Sequence, residues 1–291
     1  MVIIGENIHI LSKSVSEAIK NRDKKPLQEL ALKQAEAGAD YIDLNIGPAR
    51  KEPEVMGWLV ETIQEAVDKP LSLDTMNPIA MEEGLKVCKV KALINSASGK
   101  RESIENMLPL ATKYDADVVI SVLTDEGVPK GVDDRVASIM ETVSVANDMG
   151  IPNDRIWVDP ILLPVAVEQD EVVACLEFAS ILQDVVPGVK STIGLSNLSN
   201  SAPKELRPIL NRTYLVMLSK YGFYSAIADA LDEELMKLAK GELPEIVELI
   251  YKVMDGEEID PSSLSKKELE YYKTVKVLKG DSLYSHSWLE L

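Results

Sequence analysis

A short apolar run that ends in a polar group and a turn recurs along this sequence. Leu71-Ser72-Leu73-Asp74 runs into Thr75-Met76-Asn77, and the layout repeats at Asp43-Leu44-Asn45-Ile46-Gly47, Leu93-Ile94-Asn95-Ser96, Trp157-Val158-Asp159-Pro160 and Gly194-Leu195-Ser196-Asn197. A carboxylate accepts paired hydrogen bonds from an amidine-like edge, and a carboxamide offers donor and acceptor together. Brought to one place, Asp43, Asn45, Asp74, Asn95, Asp159, Ser196, Asn197 and Asp229 suit a flat nitrogen ring that displays several N–H donors and a few acceptors. Asp74 is the first candidate for ligand contact.

Other chemistries fit these residues less well. A phosphate site wants a glycine-rich turn or basic residues, and the last two strand-like runs offer little of either. A catalytic zinc site or a Ser–His–Asp triad needs histidine, and His9 and His286 are the only two. No bound metal is expected, with an all-carboxylate magnesium site of Asp74 and Asp159 as the alternative. Lys190 precedes its strand, the wrong end of a barrel for a Schiff-base lysine. Plain structural readings stand beside the chemical ones. Asp43 and Asn45 can hydrogen-bond the turn at Gly47-Pro48, and Asp229 can cap the next helix. His9 is either a mouth residue or a surface histidine, while Met76 and Met217 read as packing residues.

Polar strand ends converge when the strands are parallel and close into a (β/α)8 barrel, whose strand C-termini open onto the ligand. The residue pattern predicts strands over 2–4, 41–45, 70–74, 91–94, 118–123, 156–158, 191–195 and 225–228. Between them, amphipathic helices are predicted over 26–38, 54–67, 78–88, 102–114, 133–149, 167–185 and 205–221. Eight such alternations favour a TIM barrel over a doubly wound sheet, and no Gly-x-Gly-x-x-Gly follows the first strand. The barrel is assigned to residues 1–254. A polar break at Asp255-Gly256-Glu257-Glu258 begins a C-terminal extension, 255–291, in which Ser265 to Glu268 has capping-box spacing before a short helix. That extension is expected to pack on its own barrel or on a subunit partner.

Composition narrows the class of partner. The 291 residues hold 31 Lys plus Arg against 48 Asp plus Glu, a formal charge of −17, which argues against nucleic acid. No run approaches the roughly 18 apolar residues of a membrane span, and no export signal opens the sequence, so a cytoplasmic protein is expected. Cys88 and Cys175 read as free buried thiols.

Seven strings in order carry a family resemblance: Ile4-Gly5-Glu6-Asn7-Ile8, Asp43 to Ala49, Leu73-Asp74-Thr75, Ile94-Asn95-Ser96, Val158-Asp159-Pro160 with Leu163-Pro164, Gly194 to Ser199, and Leu210-Asn211-Arg212-Thr213. Over about residues 2–240 the chain resembles the methyltetrahydrofolate:corrinoid protein methyltransferases, within the pterin-binding barrel group that includes dihydropteroate synthase and the folate domain of methionine synthase. The resemblance implies that Asp74, Asn95 and Asp159 hold the pterin ring and that Asn197 hydrogen-bonds nitrogen 5, as the catalytic residue. Asp43, Asn45, Ser196, Asn200 and Asp229 complete the expected pterin set, Asn200 standing where some members carry a longer carboxamide. The implied substrate is tetrahydrofolate or its methyl derivative. The cobalamin signature Asp-x-His-x-x-Gly is absent, so the corrinoid is expected on a separate, transiently docked protein, with a homodimer as the assembly. The pathway would be acetyl-CoA synthesis or O- or N-demethylation. A noncatalytic pterin-binding or docking subunit is the alternative. Dihydropteroate synthase is the weaker one, since residues 190–229 hold no histidine for its Ser-x-Arg-x-His motif.

Overall fold

The computed structural model describes residues 1–49 and 51–290. Among them, β1 (Val2–His9), β2 (Tyr41–Asn45), β3 (Leu71–Asp74), β4 (Leu93–Ser98), β5 (Asp117–Ser121), β6 (Ile156–Asp159), β7 (Lys190–Ser191) and β8 (Ser225–Ala228) form one parallel sheet. Consecutive strands are neighbours from β1 to β7, and β1 also pairs with β8. The ring closes between β7 and β8. There Ile227 N–H donates to the Ile193 carbonyl (2.8 Å) and Ser225 Oγ to the Ser191 carbonyl (2.8 Å).

The outer layer follows from local sequence. The helices are α1 (Lys13–Lys20), α2 (Lys24–Ala37), α3 (Val55–Gln64), α4 (Pro78–Val87), α5 (Arg101–Lys113), α6 (Gly131–Asp148), α7 (Gln169–Val185) and α8 (Arg207–Lys220), then α9 (Glu233–Ala239), α10 (Pro244–Met254) and α11 (Lys266–Leu278). Asn77 caps α4 by accepting from Ile79 and Ala80 N–H, with Pro78 already at the helical φ. Ser265 and Glu268 form the capping box of α11. Tyr271, Val275 and Leu278 of α11 are buried, and the helix packs on α7, α8 and α10. No described helix is long and apolar enough to cross a membrane.

The structure departs from the sequence reading at several boundaries, and β4 runs over Leu93–Ser98 where 91–94 is predicted. β1 runs to His9 instead of stopping at Ile4. Gly5 does not end it: the glycine admits Gln34 of α2, whose Oε1 would lie 2.3 Å from a Cβ there and instead accepts the Asn7 N–H. The predicted strand 191–195 is shorter, because Asn197 N–H donates back to the Gly194 carbonyl and residues Leu195–Ser199 wind into a 3-10 helix. Helices α1, α9 and α10 lie in stretches where no helix was predicted.

Candidate active site

Side chains alternate across a strand, so residues two apart share a face. Inside the barrel this produces tiers. Ile4, Leu93, Val119 and Trp157, with Tyr41 and Ile227 against them, form an apolar lower tier. Two residues further along the same strands stand Glu6, Asn95, Ser121, Asp159, Asp43 and Asp229. β3 adds Ser72 beside Asp43 and Asp74 between Asn45 and Asn95. The floor is sealed from below by Asp117, which accepts from Trp157 Nε1 (3.1 Å) and pairs with Lys91 (2.9 Å) and Lys190 (3.2 Å). Lys190 therefore lies at the end of the barrel away from the polar tier.

Hydrogen bonds divide the polar residues into those that support and those that face the opening. Asp43 Oδ1 accepts from Ser72 Oγ (2.6 Å) and from Asn95 Nδ2 (3.2 Å), which leaves the Asn95 carbonyl oxygen as an acceptor. Asn45 gives its amide N–H to Asp74 and accepts the Gly47 N–H (3.0 Å), so both of its ends serve protein groups. It orients Asp74 and holds the turn at once. Asp159 Oδ1 accepts the Ile161 N–H at 2.8 Å. Ile161 sits at φ +58°, a region that a β-branched residue occupies only when its surroundings hold it there.

The rim completes the arrangement. Ser196 Oγ donates to Glu6 Oε1. Asn197 is exposed on the 3-10 helix, and its side chain folds back toward Gly194, where a Cβ would meet Asn197 Nδ2 at 3.1 Å. Asn200 is exposed beside it, near Arg207, whose Nε donates to Ser199 Oγ (3.2 Å). Asp229 accepts from Asn7 Nδ2 (2.7 Å) and from the Leu231 N–H (3.0 Å). It is thus at the mouth and also part of its own turn. His9 lies at the mouth end of β1.

Electrostatics follow from burying several acids together. Burial pushes Asp159 up to about 6 against the Ile161 N–H. It pushes Asp43 up to about 6 against its bonds from Ser72 and Asn95. Asp74 is raised well above the carboxylate range by burial and then by the Asp43 charge. Glu6 rises to about 7 by burial, with Asp229 and Asp43 raising it further and Ser196 opposing. Such a pocket favours a guest that brings N–H donors, since these let the acids ionise. Among the described residues no group of three or more His, Cys, Asp or Glu is placed to hold a metal ion.

Sequence reasoning missed Glu6, Asn7, Ser121 and Arg207. The signal for Glu6 and Ser121 was present: each stands two residues past an inward apolar residue, Ile4 or Val119. Cutting the first strand at Gly5 hid the former.

The parallel barrel thus carries, above an apolar floor, a tier of buried and half-buried acids and amides at the C-terminal ends of its strands. The chain belongs to the pterin binding enzyme family, whose model matches residues 11–221. It is 29% identical over 239 residues to the methylcorrinoid:tetrahydrofolate methyltransferase of Eubacterium limosum, covering 81% of this chain and 88% of that one. It is 24% identical over 242 residues to the methionine synthase of Mycobacterium tuberculosis, covering 79% of this chain and 20% of that much longer protein. Among solved structures, dihydropteroate synthase of Thermus thermophilus matches with a TM-score of 0.60 at 20% identity, covering 84% of this chain and 93% of that one. The enzyme of the same name from Vibrio fischeri gives 0.64 at 16% identity, with the same coverage. These structural likenesses concern the fold.

Proposed function

We propose that this protein moves a methyl group between nitrogen 5 of tetrahydrofolate and the cobalt of a corrinoid carried by a separate protein. One observation carries the reading: the buried Asn95 and the half-buried Asp74 and Asp159 present acceptors in the polar tier while Asn197 is exposed at the rim, so a flat ring can be held by the tier while its edge stays accessible. The relative from Eubacterium limosum, with its matched length, supports the choice of reaction. The protein acts in one-carbon metabolism, as a cytoplasmic homodimer that docks its corrinoid partner transiently at the mouth.

Nitrogen 5 is a tertiary amine and a poor leaving group, so losing the methyl requires positive charge or a proton there. Asn197 stabilises that state by hydrogen bonding, and solvent at the open rim exchanges the proton. Glu6, bonded to Ser196 and holding its own proton close to neutral pH, is a second local source. Asp74, Asn95 and Asp159 accept from the ring, and Asp43 and Asn45 keep two of them aimed. The same contacts serve transfer in either direction.

Calorimetric titration with methyltetrahydrofolate tests the reading. Micromolar-range binding is expected, and Asp74→Ala should abolish it. Asn197→Ala should still bind folate while methyl transfer to reduced cobalamin falls by about 100-fold, the scale of one lost transition-state hydrogen bond. No binding by the unaltered protein would overturn the folate assignment, and unchanged transfer in Asn197→Ala would overturn the role of that residue.

A further inference from the structure

A single peptide group sets the direction of Asp159. The trans unit joining Pro160 to Ile161 gives its N–H to Asp159 Oδ1 at 2.8 Å, and its carbonyl accepts from Arg135 Nε at 3.1 Å. C=O and N–H point opposite ways in one rigid plane, so fixing one end aims the other. Arg135 is fully buried on α6, and its Nη1 donates to the Gly131 carbonyl and to Glu171 Oε2, each at 2.8 Å. Glu171 of α7 also accepts the Gly131 N–H at 3.1 Å. Two helices thus brace the guanidinium from behind. Ile161 is held at φ +58°, away from the conformations its branched side chain prefers, so the aim of its N–H comes from outside the residue.

We propose that Arg135 is a positioning residue for the pocket: by holding the Pro160 carbonyl it turns the Ile161 N–H onto Asp159 and fixes that carboxylate toward a ligand donor. The proposal rests on the reading that Asp159 faces the ligand. Cys175 of α7 feels Tyr214 of α8 first, then Arg135, Asp159 and Glu171, so the charged and titratable groups packed there include Tyr214 beside these three and the thiol. The Ile161 N–H holds the Asp159 proton affinity down against burial, and losing it raises that affinity.

Arg135→Lys tests this, because lysine keeps a cation for Glu171 but lacks the planar fork that reaches Pro160 at the same time. In the ligand-free variant, carboxyl carbon NMR should show the Asp159 titration midpoint moved upward. Methyltetrahydrofolate should bind about ten-fold more weakly at pH 7, the scale of one misdirected charge-assisted hydrogen bond. Adding Ile161→Gly should recover most of the affinity and return the midpoint, since glycine takes positive φ without strain. An unmoved midpoint in Arg135→Lys, or a double variant no better than the single one, would overturn the proposal. Should Arg135→Lys not fold, Ile161→Gly in the otherwise unaltered protein decides. A midpoint that stays supports the Arg135 hold, and one that moves refutes it. Asp159→Asn separates the two readings: equal folate binding in that variant removes Asp159 from ligand contact, while the ligand-free midpoint still judges Arg135.

Discussion

Replacing Asp159 by asparagine should make the ligand-free protein more stable above neutral pH. Burial raises this acid from its ordinary 3.8 to about 6, so the folded state holds the proton more tightly than the unfolded chain does. The sign follows from linkage: the favourable contribution is fully present below pH 4 and is lost as the pH rises through about 6. Above that, an ionised Asp159 disfavours the fold by at most about 3 kcal/mol, at roughly 1.4 kcal/mol per pH unit. Asparagine cannot ionise, and its carbonyl oxygen can still accept the Ile161 N–H. The advantage of Asp159→Asn should therefore be near zero at pH 4, grow between pH 4 and 6, and level off beyond. At about 2 °C per kcal/mol for a chain of this size, the melting temperature at pH 8 should rise by up to about 6 °C. Thermal unfolding followed by circular dichroism from pH 4 to pH 8 measures it. A difference that does not depend on pH, or a variant less stable at pH 8, would refute the electrostatic account of this tier.

Two other perturbations probe different parts of the molecule. Trp288 is buried at the end of the extension and its indole N–H donates to Thr274 Oγ1 at 3.1 Å. Trp288→Ala should lower unfolding stability by about 3–5 kcal/mol in denaturant titration, and a shift below about 1 kcal/mol would detach the tail from the core. The thiols of Cys88 and Cys175 are both pushed up to about 12 by burial. Cys175 is buried but Cys88, expected to be buried, is only half-buried, so a thiol reagent at pH 8 should label Cys175 only after denaturation, and rapid labelling of Cys175 in the folded protein would contradict that environment.

Local sequence determined the alternation of strand and helix, because apolar runs of β length, helical spacing and caps such as Asn77 act within a few residues of themselves. It also placed Asp74 and Asp159 at strand ends and Asn95 on the inward face of a strand that in the structure continues to Ser98, since period two fixes a strand residue's face once its neighbour is known to be buried. The limits of that locality show at particular residues. Glu6 entered the site only when β1 was seen to continue past Gly5, a glycine explained by Gln34 on a neighbouring helix. Asn45 reads as a turn residue or as a site residue from sequence alone, and its bond to Asp74 makes it both. Barrel closure depends on Ile193 and Ile227 meeting across 34 residues of chain, and the aim of Asp159 on Arg135, 24 residues earlier. Strand periodicity is a property of the backbone and can be read along the chain. Which donor finds which acceptor is decided by the packing of distant segments, and the tertiary structure alone supplies it.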